Sequence, residues 1–160
     1  MSDDFTRIEV HGLAELEQKL GELDNKLAGK AIYSALGFAL TPVVSDAKKR
    51  AAKAKEPHTM TYPNGKKVDV EPGLLKSAIK KRRVPKSEMT GEFAQGAAMG
   101  VYVGTGTKQK VYPRYWHLIE RGTSKQPATP FIRPAFDNNI TVMLDRFSQK
   151  LSENIDKFSE

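Results

Sequence analysis

The spacing of apolar residues changes period early in the chain. Ile8 and Val10 alternate with Arg7, Glu9 and His11, which predicts a short strand stopping at Gly12. Leu13, Leu16, Leu20, Leu23 and Leu27 then recur at steps of three and four, a leucine seam along one helical face that ends at Gly29. Over barely two heptads such a seam signals packing inside a domain and not a free coiled coil. Ile32, Leu36, Leu40, Val43, Val44 and Ala47 form the stripe of a second helix, with Pro42 in its middle. Proline removes a ladder bond and clashes with the preceding turn, so either a kink or a restart capped by Thr41 is expected. The stripe keeps phase across Pro42, which favours one kinked helix. The run from Lys48 to Lys55 suits the negative end of a helix dipole, with Pro57 as terminator.

Beyond Pro57, Asn64-Gly65 predicts a type I′ hairpin, with Met60, Tyr62, Val68 and Val70 on one face of a two-stranded ribbon. An isolated ribbon is marginal in water, so residues 57–72 read as a protruding, mobile, basic insertion unless a partner holds them. Gly73 to Ile79 reads as a helical turn feeding a strand from Ile79 to Val84, and Val101–Gly104 as its antiparallel neighbour. The Gly- and Ala-rich stretch 89–100 between them reads as a loop. A short helix through Tyr115, Trp116, Leu118 and Ile119 closes at Gly122, and a turn with Pro127, Pro130 and Pro134 leads to a last helix. Its stripe is Phe136, Ile140, Met143, Leu144, Phe147, Leu151, Ile155 and Phe158. The fold class is α+β: a small antiparallel sheet from Ile8–His11, Ile79–Val84 and Val101–Gly104, covered by the kinked helix and the long C-terminal helix.

The length of 160 residues suits one domain, because chains of about 150 residues bury roughly 68–70% of their unfolded surface. No run approaches the ~18 apolar residues of a membrane span, so no membrane partner is expected. The acidic start, Ser2-Asp3-Asp4, is unlike a signal peptide, and the absence of cysteine removes disulfide scaffolds, thiolate zinc sites and cysteine nucleophiles. The net charge of +7 is uneven: Ala47 to Lys86 holds 13 basic residues against three acids, so that segment carries +10 and the rest −3. Such concentration reads either as a patch facing phosphate or another acidic surface, or as a solvated helix face followed by a loop.

The chain offers little to an enzyme. His11, His58 and His117 are isolated, with no second ligand at metal spacing, and no cofactor motif is present. Gly104-Thr105-Gly106-Thr107-Lys108 lacks the spacing of a phosphate loop and reads as a strand-to-helix turn. There is no G-x-S-x-G elbow. Glu120 and Asp137 could be imagined as an acid/base pair, but nothing in the sequence brings them together, and Glu120 is better suited to accepting bonds from backbone groups or Thr123. Phosphate affinity through charge alone remains open, since neither an aromatic ladder nor a recognition helix appears.

Tyr112-Pro113-Arg114-Tyr115-Trp116-His117-Leu118-Ile119-Glu120-Arg121-Gly122-Thr123, followed by Pro127 to Phe136, resembles the signature of the gene-product-ten-like tail-component family of long-tailed, lambdoid-type bacteriophages. That family is grouped with neck, head-tail joining and tail completion proteins. Ile8 to Leu13 with the leucine helix, and Gly73 to Ile79, are similar to its other segments in the expected order. Two departures stand out: the 57–72 ribbon separates Pro57 from Pro72-Gly73, and the family's apolar residue after glutamate is here Arg121.

The resemblance implies a virion structural protein, made in the bacterial host cytoplasm and placed in the neck or head-proximal tail. It implies a homo-oligomeric ring, a hexamer, contacting head-completion or connector proteins on one side and tail tube or terminator proteins on the other, with non-specific contact to genomic double-stranded DNA. Heterologous contacts close into rings when the rotation permits. Tyr115, Glu120, Gly122, Thr123, Pro130, Phe131, Arg133 and Pro134 are the expected structural or interface positions; Lys66, Lys67, Arg82 and Arg83 are the expected basic residues facing the channel or a subunit seam. The rival from another class is a basic, sequence-independent nucleic-acid-binding module.

Overall fold

Pro42 determines how the longest helix is built into the molecule. The computed structural model describes residues 13–91 and 96–160, so the expected strand at Ile8–His11 lies outside the described residues. Helix α1 (Leu13–Gly21) turns at 22–24 into α2 (Asn25–Arg50), a single helix with Pro42 inside it. Pro42 has no N–H for the carbonyl of Phe38, and Arg146 supplies a substitute: its Nε donates to Phe38 O at 3.0 Å while the guanidinium lies 3.7 Å from the Phe38 ring centroid. One helix therefore crosses the proline, as its apolar phase predicts.

Both predicted ends of α2 move. The seam breaks at 22–24 and not at Gly29, because Asp24 in extended conformation opens the new ladder with Ala28 N donating to Asp24 O at 2.8 Å. Gly29 lies inside α2, where its propensity cost of about 1 kcal/mol is overridden by packing. At the other end α2 stops at Arg50, well before Pro57, as the buried Ala51 turns extended and joins the core.

Helix α6 (Ile140–Ser159) packs chiefly along α2, where a long amphipathic helix is expected on a sheet. The small Ala31 and Ala35 of α2 admit Leu151 and Ile155 to full burial, each contributing about 1.5–3 kcal/mol as an upper figure. Asn154, the buried polar residue there, donates to Ala31 O at 3.1 Å, and Asn139 to Asp46 Oδ2 at 2.8 Å, so the two helices run antiparallel in fixed register. The predicted last helix is two: Phe136 belongs to α5 (Ile132–Asp137), and 138–139 form the turn between. By length and composition α2 could cross a membrane, with mean hydropathy 1.4 in its most apolar window, against the expectation from uninterrupted runs. Here it is the central core helix.

Among the described residues the class is α+β as predicted, with two separate two-stranded antiparallel sheets. Helix α3 (Leu74–Ala78) feeds β3 (Ile79–Arg83), which pairs with β4 (Met99–Val103) from Ile79 opposite Val103 to Arg83 opposite Met99. A 3₁₀ turn at Lys86–Glu88 follows β3. Strand alternation turns Ile79, Lys81 and Arg83 toward α2: Lys81 Nζ donates to Thr41 Oγ1 at 2.9 Å and to Gly37 O, and Arg83 lies 4.2 Å from the Tyr33 ring centroid. Desolvation, then the Arg146 charge, holds the Lys81 pKa below its ordinary value.

The ribbon forms from β1 (His58–Thr61) and β2 (Lys67–Val70), Met60 opposite Val68. Its turn is not type I′. Pro63 fixes a negative φ at the first central position, Gly65 N donates to Tyr62 O at 2.9 Å, and Gly65 alone takes the left-handed conformation at φ 81°. Met60 and Val70 are buried with Leu74 against Tyr62, Val111 and Tyr115, and the Gln109 side chain bonds to Asp69 O and the Glu71 N–H. The apolar face the pattern predicts thus has a partner within the chain.

Candidate functional site

Helix α4 (Trp116–Arg121) is too short to be stable alone and is held from both ends. Trp116 N donates to Pro113 O at 3.1 Å, and the indole N–H donates to Tyr112 Oη at 2.8 Å. Tyr115 sits at the N-cap, half-buried against the ribbon, its ring edge-on to His58 with centroids 5.4 Å apart. Burial pushes its phenol pKa above 10.0.

Glu120 ties α4 to the start of α5. Its Oε2 accepts from Phe131 N at 2.7 Å and Ile132 N at 3.1 Å, and its Oε1 accepts from Arg133 N at 3.1 Å. These are unpaired donors of the first turn of α5, so one carboxylate caps a helix eleven residues away in sequence. The backbone role expected for Glu120 holds; its donors belong to α5 and not to Thr123.

The intervening loop is fixed at several points. Gly122, at φ 78° and ψ 174°, donates to Leu118 O at 2.8 Å, and a Cβ there would stand 2.6 Å from Ala128 N. Thr123 Oγ1 accepts from Lys125 N and Gln126 N at 3.2 and 3.1 Å, and Thr129 N donates to Ile119 O at 2.8 Å. Pro130 is exposed, Phe131 is fully buried in the core beside Val43 and Ile79, and Pro134 lies in the first turn of α5, where no ladder bond is lost. Arg133 is exposed and reaches Asp137 at 3.9 Å, a solvated pair of little energetic weight. The signature is thus one clamp: the Glu120 carboxylate faces backbone N–H groups, while Asp137 points to solvent beside Arg133.

The four predicted basic residues are not gathered. Lys66 and Lys67 are exposed at the tip of the ribbon, whereas Arg82 and Arg83 lie on the other sheet. Arg82 is paired with Glu88 at 3.2 Å and lies 5.2 Å from the Tyr102 ring centroid; Arg83 is stacked on Tyr33. Two concavities went unforeseen. One, about 350 Å³, lies between ribbon and α4 and is lined by Met60, Tyr62, Arg114, Tyr115, His117 and Leu118. The other, about 810 Å³, brings together Lys48, Lys76 and Lys108. Lys108 lies outside the basic segment, so charge counting along the chain could not join it to the other two.

The Gly104–Lys108 turn is a packing device. A Cβ on Gly106 would meet Leu74 Cδ1 at 2.4 Å and Gln109 O at 2.5 Å, so only glycine lets this loop lie on α3. Among the described residues no group of three histidine, aspartate or glutamate side chains is placed to hold a metal. No protein-family model, curated protein or solved structure matches the chain.

Proposed function

We propose that the chain is a non-enzymatic structural protein of a virion, acting in the phage neck or upper tail. Copies close into a ring that joins head to tail or completes the tail around the DNA channel. One observation carries this reading. The 112–136 segment, whose residue order resembles the tail-component family, uses its polar groups to hold a chain path: Glu120 binds three backbone N–H groups and Thr123 two. A rigid loop with an exposed outer surface suits repeated docking between identical copies, because little freedom is left to lose on association.

In this reading the outer side of the clamp, with Leu118 47% exposed and Arg121 beside it, meets the neighbouring copy. Lys66 and Lys67 face the channel or a subunit seam. Arg82 and Arg83 serve the fold as well, since each already has a partner on its own surface. The decisive experiment is negative-stain imaging of particles assembled without this protein. Full heads separated from tails support joining, and normal virions overturn it. Native mass spectrometry of the purified chain, alone and with its docking surface, then reads the ring directly.

A further inference from the structure

The fold redistributes the basic charge. Lys81 and Arg83 are turned onto α2, and Arg82 onto Glu88 and Tyr102, so much of the strand's charge is engaged within the chain. In contrast, Lys48 from the last turn of α2, Lys76 from α3 and Lys108 from the loop after β4 line one groove of about 810 Å³. Among the described residues, none of the three has a carboxylate within 4.0 Å and Glu71 is the single acid in the lining.

The walls are braced from inside. Ser77 Oγ donates to Leu74 O at 2.9 Å and accepts from Thr107 N at 3.3 Å, while Thr107 Oγ1 donates to Ser77 O at 3.1 Å. The Gln109 amide is committed to Asp69 and Glu71. The hydroxyl and amide groups are therefore spent on shape, and the lysine ammonium groups are the donors left for a ligand.

We propose that this groove is a phosphodiester-binding site, seating the backbone of duplex nucleic acid without reading its sequence. Further exposed lysines lie close in sequence to two of the three, Lys49, Lys53 and Lys55 after Lys48 and Lys110 after Lys108. Three lysines converging on one groove without a carboxylate partner fit a partner carrying one charge per about 1.7 Å of axis better than a peptide with isolated carboxylates. Among the described residues no aromatic side chain lines the groove to offer the stacking that single strands exploit, and the duplex backbone is the matching form. The site deepens the ring reading by naming the face turned to DNA, and its test uses the purified chain without particles, so either can fail alone.

The test is fluorescence anisotropy with a labelled duplex of about two helical turns, titrated at several salt concentrations. Each lost lysine–phosphate contact lowers the salt slope by about 1, so Lys48→Gln/Lys76→Gln/Lys108→Gln is expected to lower it by about 3. The control Lys19→Gln/Lys26→Gln/Lys157→Gln removes the same charge from exposed positions on α1, the first turn of α2 and α6 and is expected to change the slope by less than about 1. Circular dichroism and thermal midpoints establish that both variants fold; should the triple variant not fold, Lys76→Gln and Lys108→Gln singly, each at an exposed site, should each lower the slope by about 1. Equal losses in groove and control variants, or no duplex binding by the wild type, overturn the site. So does groove-dependent binding of a polyglutamate probe without duplex binding, which would assign an acidic peptide instead.

Discussion

Replacing Glu120 by alanine removes three hydrogen bonds at once, and the structure distinguishes what each is worth. Phe131 is fully buried, so its N–H loses a 2.7 Å partner where water has poor access, and an unsatisfied buried donor costs about 1–3 kcal/mol. Ile132 is half-buried and contributes about 1 kcal/mol, while Arg133 is exposed and its N–H is rehydrated at little cost. The expected total is about 2–4 kcal/mol, comparable with the loss of a strong N-cap. In a chain of this size that corresponds to a fall in thermal midpoint of about 4–16 °C.

Glu120→Gln separates the hydrogen bonds from the shape. Its single carbonyl oxygen can still serve Phe131 and Ile132, but its amide presents a donor to the Arg133 N–H, so a smaller loss of about 1–2 kcal/mol is expected. Urea denaturation with an unchanged m-value is the appropriate measurement, because it reads native-state stability without a change in exposed surface. An alanine variant within about 0.5 kcal/mol of the wild type, the range of ordinary surface substitutions, would refute the clamp. So would a glutamine variant worse than alanine.

Gly122→Ala should cost about 2–4 kcal/mol in the same assay, because φ 78° and ψ 174° is a glycine conformation and the new Cβ would press on Ala128 N at 2.6 Å. Arg146→Met should cost about 1–3 kcal/mol, and less by at least about 1 kcal/mol in a Pro42→Ala background, where residue 42 regains an N–H for Phe38 O; additivity in that double-mutant cycle would sink the substitution argument. Tyr115 has a folded pKa raised above 10.0 by burial, so as pH rises past 10.0 the unfolded chain loses its proton first and stability falls; Tyr115→Phe should flatten that fall in midpoints measured on either side of pH 10.0.

Elements with one strong period were legible. The α2 stripe kept its phase across Pro42 because the helix is indeed one, and the α6 stripe marked the residues that meet Ala31 and Ala35. Their partners were less legible: an apolar stripe records that a face is buried, not against what, and α6 packs on a helix where a sheet was expected. The Asn64-Gly65 signal located the hairpin, but Pro63 moved the turn back by one residue and left only Gly65 with positive φ. The Arg146 contact with Phe38 O, 108 residues away in sequence, had no local signal at all.

The basic segment shows why a charge run is a poor map of a charged surface. On a strand, neighbours point to opposite faces, so the run Lys80 to Arg83 is divided as soon as it is extended: Lys81 and Arg83 meet α2, while Arg82 covers Tyr102 on the other side. A helix end, a five-residue helix and a glycine-dependent loop do the reverse, bringing Lys48, Lys76 and Lys108 to one groove across 60 residues of sequence. Gly106 is central to that convergence, since any side chain there would push the Thr107–Lys108 turn off Leu74 and Ser77. The groove's position thus depends on a residue with no charge. If the groove binds duplex DNA, Gly106→Ala should weaken that binding with all three lysines intact, and the folded variant's unchanged affinity would show that the lysines act as unlocalised charge.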